Sequence, residues 1–441
     1  MYSKDASRVL GQKGIAVGDR IRLVKDGKTI EGTLMPRSEL GDQDVLVIKL
    51  DNGYNIGVNV KATSSVERLS GPAMKAPLPK SDLHPKKGLD KVKLLYTGGT
   101  IGSKIDYATG GVYMLTKPEE LLYDVPELAG IANIDIEHLM SIASEDITST
   151  EWQAIARSVA KAFDSGAKGV VVTIGTDTMH YSSAALSFMV QNLPGPVVLT
   201  GAQRSSDRGS SDGFMNLICA THLASSSDIA EVGICMHATS SDSFCNFMRG
   251  TKVRKLHTSS RDAFKPVNST PIARVNSQGR IDYLSTYEKA DGKRKAKLME
   301  KFEEKVALVM PYPNSDPAIV KHYVDKGYKG MIIAATGMGH LPISTSHKEY
   351  NWFDSVKDAI ASGVIVGITS QCLFGRVSGT VYRYGRMLTE AGAIYCEDML
   401  PETAYVKLGF LLGNYKKKEA EKMLASNLVG EITDRTLVEW Q

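Results

Sequence analysis

Residues 91–104 read KVKLLYTGGTIGSK. An apolar run closes on a glycine-built turn, the pattern of a buried strand that delivers its carboxyl end to a loop. Such turns often cradle a phosphate at a helix N-terminus, but this spacing does not fit. Gly98, Gly99 and Gly102 read G-G-x-x-G rather than G-x-G-x-x-G, and no lysine stands where a P-loop requires one. The tight point carries a hydroxyl instead, that of Thr100.

Working outward, the same strand grammar recurs at GVVVTI (169–174), PVVLTG (196–201) and VGICM (232–236). Between them, EWQAIARSVAKAF (151–163) places Trp152, Ile155, Ala156, Val159 and Phe163 on one helical face, with Ser149 or Thr150 as N-cap. Apolar strands separated by helices predict a parallel sheet covered on both faces. The charged stretch EKADGKRKAKLMEKFEEK (288–305) separates this region from a second series, VALVM (306–310), GMIIAAT (330–336) and VIVGIT (364–369). Two helices, in PETAYVKLGFLLG and KKKEAEKMLASNL, are expected to end near Gly430.

Residues 1–70 differ. Short alternating runs broken by DGK, GDQD and DNG read as a small β-barrel or β-roll. The Pro- and Lys-rich SGPAMKAPLPKSDLHPKKG (70–88) reads as a linker over 71–90. Two α/β domains follow, at 91–290 and 306–429.

Composition sets the remaining bounds. With 441 residues, 42% hydrophobic and 23% charged, the chain has ample material for two or three cores. A net charge of +4 is too small to argue nucleic-acid binding by itself. The opening MYSKDASRVL has no apolar leader and no run reaches membrane-spanning length, so a cytoplasmic protein is expected. Cys219, Cys235, Cys245, Cys372 and Cys396 form no C-x-x-C pair and read as reduced thiols. The nine histidines include neither H-x-H nor H-E-x-x-H, which predicts no metal site.

In an open parallel sheet, ligands gather beyond the carboxyl ends of the strands. There the chain supplies Thr100 from the first glycine turn, Thr176 and Asp177 from TIGTDTM, and the polar loop TGAQRSSDRGSSDG. No histidine or cysteine of the usual acyl-transfer kind accompanies them. A threonine attacks a carbonyl only if a neighbour takes its proton, either a neutral lysine oriented by a carboxylate or a phenol. Spacing alone does not say which.

TGGTIGSK and TIGTDTM resemble the two signature motifs of the L-asparaginase/glutaminase family. The resemblance continues through VVLTGAQRSSDRGSSDGFMNL and MRGTKVRKLHTSSRDAFKPVN and covers 91–429. It implies an α/β fold of two asparaginase-like domains with mostly parallel sheets behind the small N-terminal β-barrel. It also implies amide hydrolysis through an acyl-threonine. On the matching positions, Thr100 is the nucleophile, Thr176 activates nucleophile or water, and Asp177 binds the substrate α-amino group. Lys255, nine residues before Phe264, takes the place of the catalytic lysine, with Lys252 as the alternative. Ser144 in IASEDIT matches the serine that holds the substrate carboxylate. Glu145 stands where many members have glutamine, and its carboxylate suits the substrate ammonium. The loop tyrosine that assists the nucleophile falls on Tyr107, with Tyr113 as the alternative. Glycines 102, 110 and 111 give that loop its freedom to close. Backbone N–H groups near Thr176 and Ala202 are candidates for an oxyanion hole.

The N-terminal module and the stretches YGRMLTEAGAIYCEDMLPETAYVKLGFLLG and NLVGEITDR narrow the resemblance to the amidohydrolase subunits of archaeal glutamyl-tRNA(Gln) amidotransferases. This implies release of ammonia from glutamine or asparagine to a separate E-type subunit, which converts Glu-tRNA(Gln) to Gln-tRNA(Gln). No cofactor is expected in this chain, with ATP and Mg on the partner. A homodimer within a heterotetramer is expected, contacting tRNA mainly through the partner and engaging no membrane. The alternative is a stand-alone cytoplasmic L-asparaginase with an accessory domain.

Overall fold

The first apolar–polar alternations fold as strands β1 (Arg20–Lys25), β2 (Lys28–Met35), β3 (Val45–Lys49), β4 (Asn55–Asn59) and β5 (Ser65–Ser70). They pair antiparallel in the order β4-β3-β2-β1-β5. Asp26 and Gly27, at φ 51° and 72°, make the two-residue turn between β1 and β2, as Asp-Gly favours. A helix, α1 (Lys4–Gln12), precedes the strands where the sequence suggested only β-structure. Ser3 caps it, and Ala6 and Leu10 join Ile21, Leu23, Leu34, Leu46 and Ile48 in the core of this module. This chain is described from a computed structural model over residues 2–35, 42–50, 55–63, 65–70, 86–99, 101, 103–105, 112–114, 125–205 and 211–436. Thr100, Tyr107 and glycines 102, 110 and 111 lie outside the described residues, as does most of the proposed linker.

The next sheet contains β6 (Lys91–Tyr96), β7 (Asn133–His138), β8 (Gly169–Thr173), β9 (Val197–Thr200), β10 (Val232–His237) and β11 (Cys245–Arg249). A side hairpin of β12 (Val253–Lys255) and β13 (Phe264–Pro266) follows, then β14 (Ala273–Val275) and β15 (Ile281–Tyr283). The sheet order is β15-β14-β11-β10-β9-β8-β6-β7. The five strands from β7 to β10 are parallel; β11, β14 and β15 run antiparallel, which the short apolar runs did not announce.

Helices α2 (Ser149–Asp164), α3 (Met179–Met189) and α4 (Gly213–Ser226) cover this sheet. Leu95, Val170 and Val172 face one core with Ile155, Val159 and Leu186, while Leu94, Tyr96 and Val171 face another with Leu217 and Leu223. The predicted face of α2 is buried, but its cap is Thr148 rather than Ser149 or Thr150. Thr148 is extended and its Oγ1 accepts the Thr150 N–H, while the Glu151 carboxylate accepts the Thr148 N–H at 2.7 Å. That reciprocal pair fixes the boundary one residue early.

The second sheet, β16 (Val306–Val309), β17 (Gly330–Ala335), β18 (Ile365–Ser370) and β19 (Ile394–Tyr395), is parallel throughout in that order. The last helices are α5 (Ala318–Asp325), α6 (Trp352–Ala361), α7 (Arg383–Glu390), α8 (Pro401–Asn414) and α9 (Lys417–Leu424). Helix α8 is apolar nearly all round because it is buried between the two sheets' layers, stacking Phe410 on Phe188 of α3. The charged 288–305 stretch is more than a spacer. Residues 297–298 pair with Val190–Gln191, and Phe302 packs edge-on against Trp152. Its carboxylates are also engaged: Glu300 pairs with Arg157 at 2.7 Å, and Glu304 accepts from the Ser149 hydroxyl at 2.7 Å.

Candidate active site

Taken in chain order, the five parallel strands lie 2-1-3-4-5 across the first sheet. The connections therefore leave in opposite directions between β6 and β8, and the crevice at their carboxyl ends is the switch point where ligands bind in such sheets. The two glycine turns from the sequence meet there. The Thr97 N–H donates to the Thr173 carbonyl at 3.1 Å, holding the turns in register. Gly99, at φ 81°, lies so close to the second turn that a Cβ would stand 2.5 Å from the Gly175 nitrogen. The residues that follow these touching glycines are Thr100 and Thr176.

Thr176 is 6% exposed and precedes the first turn of α3, an end that presents unpaired N–H groups and a favourable dipole to negative charge. Lys255, at the end of β12, reaches this point from the side hairpin. Its Nζ lies 2.9 Å from Thr176 Oγ1 and 2.7 Å from Asp177 Oδ1. The Lys255 side chain is 10% exposed and that of Asp177 65%, so the carboxylate faces the open side of the crevice. Lys252 goes elsewhere: its Nζ is 2.6 Å from Asp398 Oδ2, with neither side chain exposed. Of the two lysines considered, the structure brings Lys255 to the threonine.

Ser144 opens a short 3-10 turn after β7 and is buried. Its Oγ accepts the Asp177 N–H at 3.1 Å, and its carbonyl accepts from Thr178 Oγ1. The missing Cβ of Gly175 makes this approach possible, since one built there would stand 2.8 Å from Ser144 Oγ. Glu145, beside it, is exposed. Gly201 and Ala202 leave β9 against Thr176: a Cβ on Gly201 would stand 3.2 Å from Thr176 Cγ2, and Ala202 is 1% exposed. The buried Asp212 carboxylate accepts the Gln203 and Arg204 N–H groups, and Asn216 of α4 donates to the Gly201 carbonyl at 2.9 Å. That turn is therefore fixed from below.

Hydrogen bonds thus join Ser144, Asp177, Lys255 and Thr176 in one cluster, with Ala202 next to Gly201 against Thr176; Glu145 is adjacent to Ser144 in the chain and exposed. The Tyr113 backbone lies in a short strand paired with Ser103–Ile105. His180, one turn into α3, carried no sequence signal. Burial, then the neighbouring Arg254 and Lys255 charges, push its pKa down to about 4, so at neutral pH it adds no positive charge beside Lys255. Arg254 and Glu402, joined at 2.9 Å across the two domains, were also unseen in sequence. Among the described residues no three His, Cys, Asp or Glu side chains gather as a metal site. All five cysteines are free thiols, and no described helix is long and apolar enough to cross a membrane.

Comparison with known proteins matches three stretches of the chain to family models. Residues 91–288 match the family described as "Asparaginase, N-terminal", 305–424 the "Glutaminase/Asparaginase C-terminal domain", and 15–69 the "GatD N-terminal domain". The L-asparaginase of Thermococcus kodakarensis is 30% identical, with a TM-score of 0.69 over 78% of this chain and 100% of the asparaginase. L-asparaginase I of Vibrio cholerae is also 30% identical, with a TM-score of 0.66 over 78% of this chain and 99% of its own. The D-type subunit of the glutamyl-tRNA(Gln) amidotransferase of Pyrococcus furiosus is 50% identical over 97% of both chains, and that of Thermococcus kodakarensis 48% identical over 96% of both. The chain belongs to the family of D-type subunits of the glutamyl-tRNA(Gln) amidotransferases, whose two larger domains are those of the asparaginases.

Proposed function

We propose that this chain is the amidohydrolase subunit of a tRNA-dependent amidotransferase, hydrolysing glutamine or asparagine and passing the ammonia to an acceptor subunit. The observation that carries the chemistry is Lys255 Nζ within 2.9 Å of Thr176 Oγ1 and 2.7 Å of Asp177 Oδ1. In the proposed reaction the Thr100 hydroxyl oxygen attacks the side-chain amide carbon. Its proton passes to the leaving nitrogen, the C–N bond breaks, and ammonia departs from an acyl-threonine ester. Water then attacks the ester carbon, its proton relayed by way of Thr176 and Lys255 to the departing Thr100 oxygen. The carboxylic acid leaves and the Thr100 hydroxyl is restored. Asp177 orients Lys255 and, with Glu145, meets the substrate ammonium; Ser144 meets its carboxylate. Backbone N–H groups near Thr176 and Ala202 face the developing oxyanion, and Tyr107 assists the first proton transfer.

The assembly rests on the relatives. They align over the N-terminal module as well as the two α/β domains, whereas the asparaginases account for 78% of this chain. That favours the amidotransferase reading over a free asparaginase. The acceptor, an E-type subunit, would carry ATP and Mg and convert Glu-tRNA(Gln) to Gln-tRNA(Gln), with a homodimer of this chain in the complex, in the cytoplasm. The test is mass spectrometry of acid-quenched reactions with glutamine. An acyl adduct on the peptide containing Thr100 is expected; an adduct elsewhere, or none during turnover, overturns the nucleophile.

A further inference from the structure

None of the candidate site residues belongs to the second α/β domain. Yet the hairpin that carries Lys255 is fastened to that domain at its root. Along 252–255 the side chains alternate as strand geometry requires. Val253 packs into the apolar core that the two domains share and Lys255 reaches Thr176, whereas Lys252 and Arg254 pair with Asp398 and Glu402.

The groups that receive them come from one short segment, 398–403, within the distinctive stretch YCEDMLPETAY. Asp398 Oδ2 lies 2.6 Å from Lys252 Nζ, and the Asp398 carbonyl accepts from the same ammonium at 3.2 Å. Glu402, in the first turn of α8, pairs with Arg254 at 2.9 Å. Thr403 Oγ1 donates to the Thr251 carbonyl at 3.0 Å. On the returning arm, Asn268 donates to the carbonyls of Asp398 and Gly375 at 3.3 and 3.1 Å and accepts the Gly375 N–H at 2.9 Å. The second distinctive stretch, NLVGEITDR, converges on the same aspartate through the Thr433 N–H at 3.0 Å and the Thr433 hydroxyl.

We propose that the second domain acts in the reaction through Asp398 and Glu402, positioning residues that clamp the β12–β13 root and so set the reach of Lys255 to Thr176. A hairpin of two three-residue strands held at one end only would leave a long lysine free to sample many rotamers. Clamping one strand face fixes the direction of the other, because successive residues are bound to opposite sides. The Lys252–Asp398 pair is fully buried and the Glu402 carboxylate nearly so, which favours a single geometry over alternatives that leave either acid unpaired. Positioning of this kind governs the rate step and leaves the substrate-holding Ser144, on another loop, in place.

The inference rests on Lys255 being the catalytic lysine, and the experiment separates the two. In the full chain, under conditions where the unaltered protein hydrolyses glutamine, kcat and KM are measured per folded molecule for Asp398→Asn, Glu402→Gln, Thr403→Val and Lys255→Ala. Glu402→Gln and Asp398→Asn are expected to lower kcat about tenfold or more with KM within about twofold; Thr403→Val, losing one neutral hydrogen bond, should lower kcat less. Thr403→Ser restores the hydroxyl and should restore kcat. If Asp398→Asn does not fold, Glu402→Gln and the Thr403 pair decide the matter. Unchanged kcat per folded molecule in those variants, with only a lower unfolding temperature, overturns the clamp. Retained activity in Lys255→Ala overturns the catalytic reading instead.

Discussion

Gly99 and Gly175 pack backbone against backbone across the switch point, with room for no side chain: a Cβ on Gly99 would lie 2.5 Å from the Gly175 nitrogen. Gly175 in turn touches Ser144, where a Cβ would stand 2.8 Å from both Cβ and Oγ. Gly175→Ala should therefore act on substrate holding more than on the core. The added methyl displaces Ser144 and its hydrogen bond from the Asp177 N–H. A rise in KM of about tenfold, equal to roughly 1.4 kcal/mol of lost binding, is expected with a small change in unfolding temperature. An unchanged KM would separate Ser144 from the substrate.

Thr100→Val and Thr176→Val should each remove hydrolysis by several orders of magnitude while the far-ultraviolet circular dichroism stays that of the parent. Valine keeps the shape of threonine and deletes the hydroxyl that the proposed mechanism needs. Near-normal glutamine hydrolysis by Thr100→Val would remove it from the role of nucleophile.

Much of this arrangement could be read from the chain, for identifiable reasons. Strands β8 and β9 are legible as apolar runs because both faces are covered, whereas β7, reading NIDIEH at the half-exposed sheet edge, gave no such run; the glycine turns stand out because two backbones must meet. Lys255 was legible only through its motif, since the 79 positions from Thr176 are closed by tertiary structure. His180 and the Asp398–Lys252 pair gave no signal. A buried charge looks like any surface charge until its partner, 146 positions away, is known. Helix α1 was hidden for a different reason: its buried face consists of Ala6 and Leu10 alone, too few for a period to show.

His180 predicts a pH dependence of stability with a definite sign. Its pKa is pushed down to about 4 by burial, then by Arg254 and Lys255, with Asp177 opposing, against 6.5 for the free side chain. Below pH 6.5 the unfolded chain takes up a proton that the folded chain refuses, so stability falls as pH drops from 6.5 to about 4 and levels off below that. At 1.36 kcal/mol per pKa unit, the full loss is about 3 kcal/mol. Denaturant midpoints of the parent and His180→Leu, measured from pH 7.5 to 4, should diverge through that window. Parallel curves would refute the assignment.

Lys407 of α8 and Glu431 of the tail pair at 2.6 Å with neither side chain exposed, and Glu431 also accepts the Leu428 and Val429 N–H groups. Lys407→Met leaves that carboxylate buried without its counter-ion, at a cost of about 3–5 kcal/mol. The double change Lys407→Met, Glu431→Gln should recover part of the loss, because glutamine's side-chain oxygen still accepts the backbone N–H groups without carrying charge. Thermal unfolding of the three proteins gives the comparison. A double variant no better than the single one would show that shape, not charge, is what Lys407 supplies.

The N-terminal module poses the question of why an amidohydrolase carries it. Its core is its own: Ala6, Leu10, Ile21, Leu23, Leu34, Leu46, Ile48, Val58 and Val66 pack with one another, and the three other core clusters draw on residues from 92 onward. Deleting residues 1–70 should leave the unfolding temperature of the two α/β domains nearly unchanged. The effect is expected in the assembly. Ammonia is useful only if it reaches an activated acyl group before it is lost to solvent, so hydrolysis should be restrained until acceptor and tRNA are in place. A coupling of about 1–3 kcal/mol would give roughly 5- to 150-fold activation. Glutamine hydrolysis by the full chain should rise by such a factor on adding the acceptor subunit and Glu-tRNA(Gln). The truncated chain should bind the acceptor more weakly or show a smaller rise. If the full chain alone already works at full rate and neither addition changes it, the restraint does not exist and the module has another purpose.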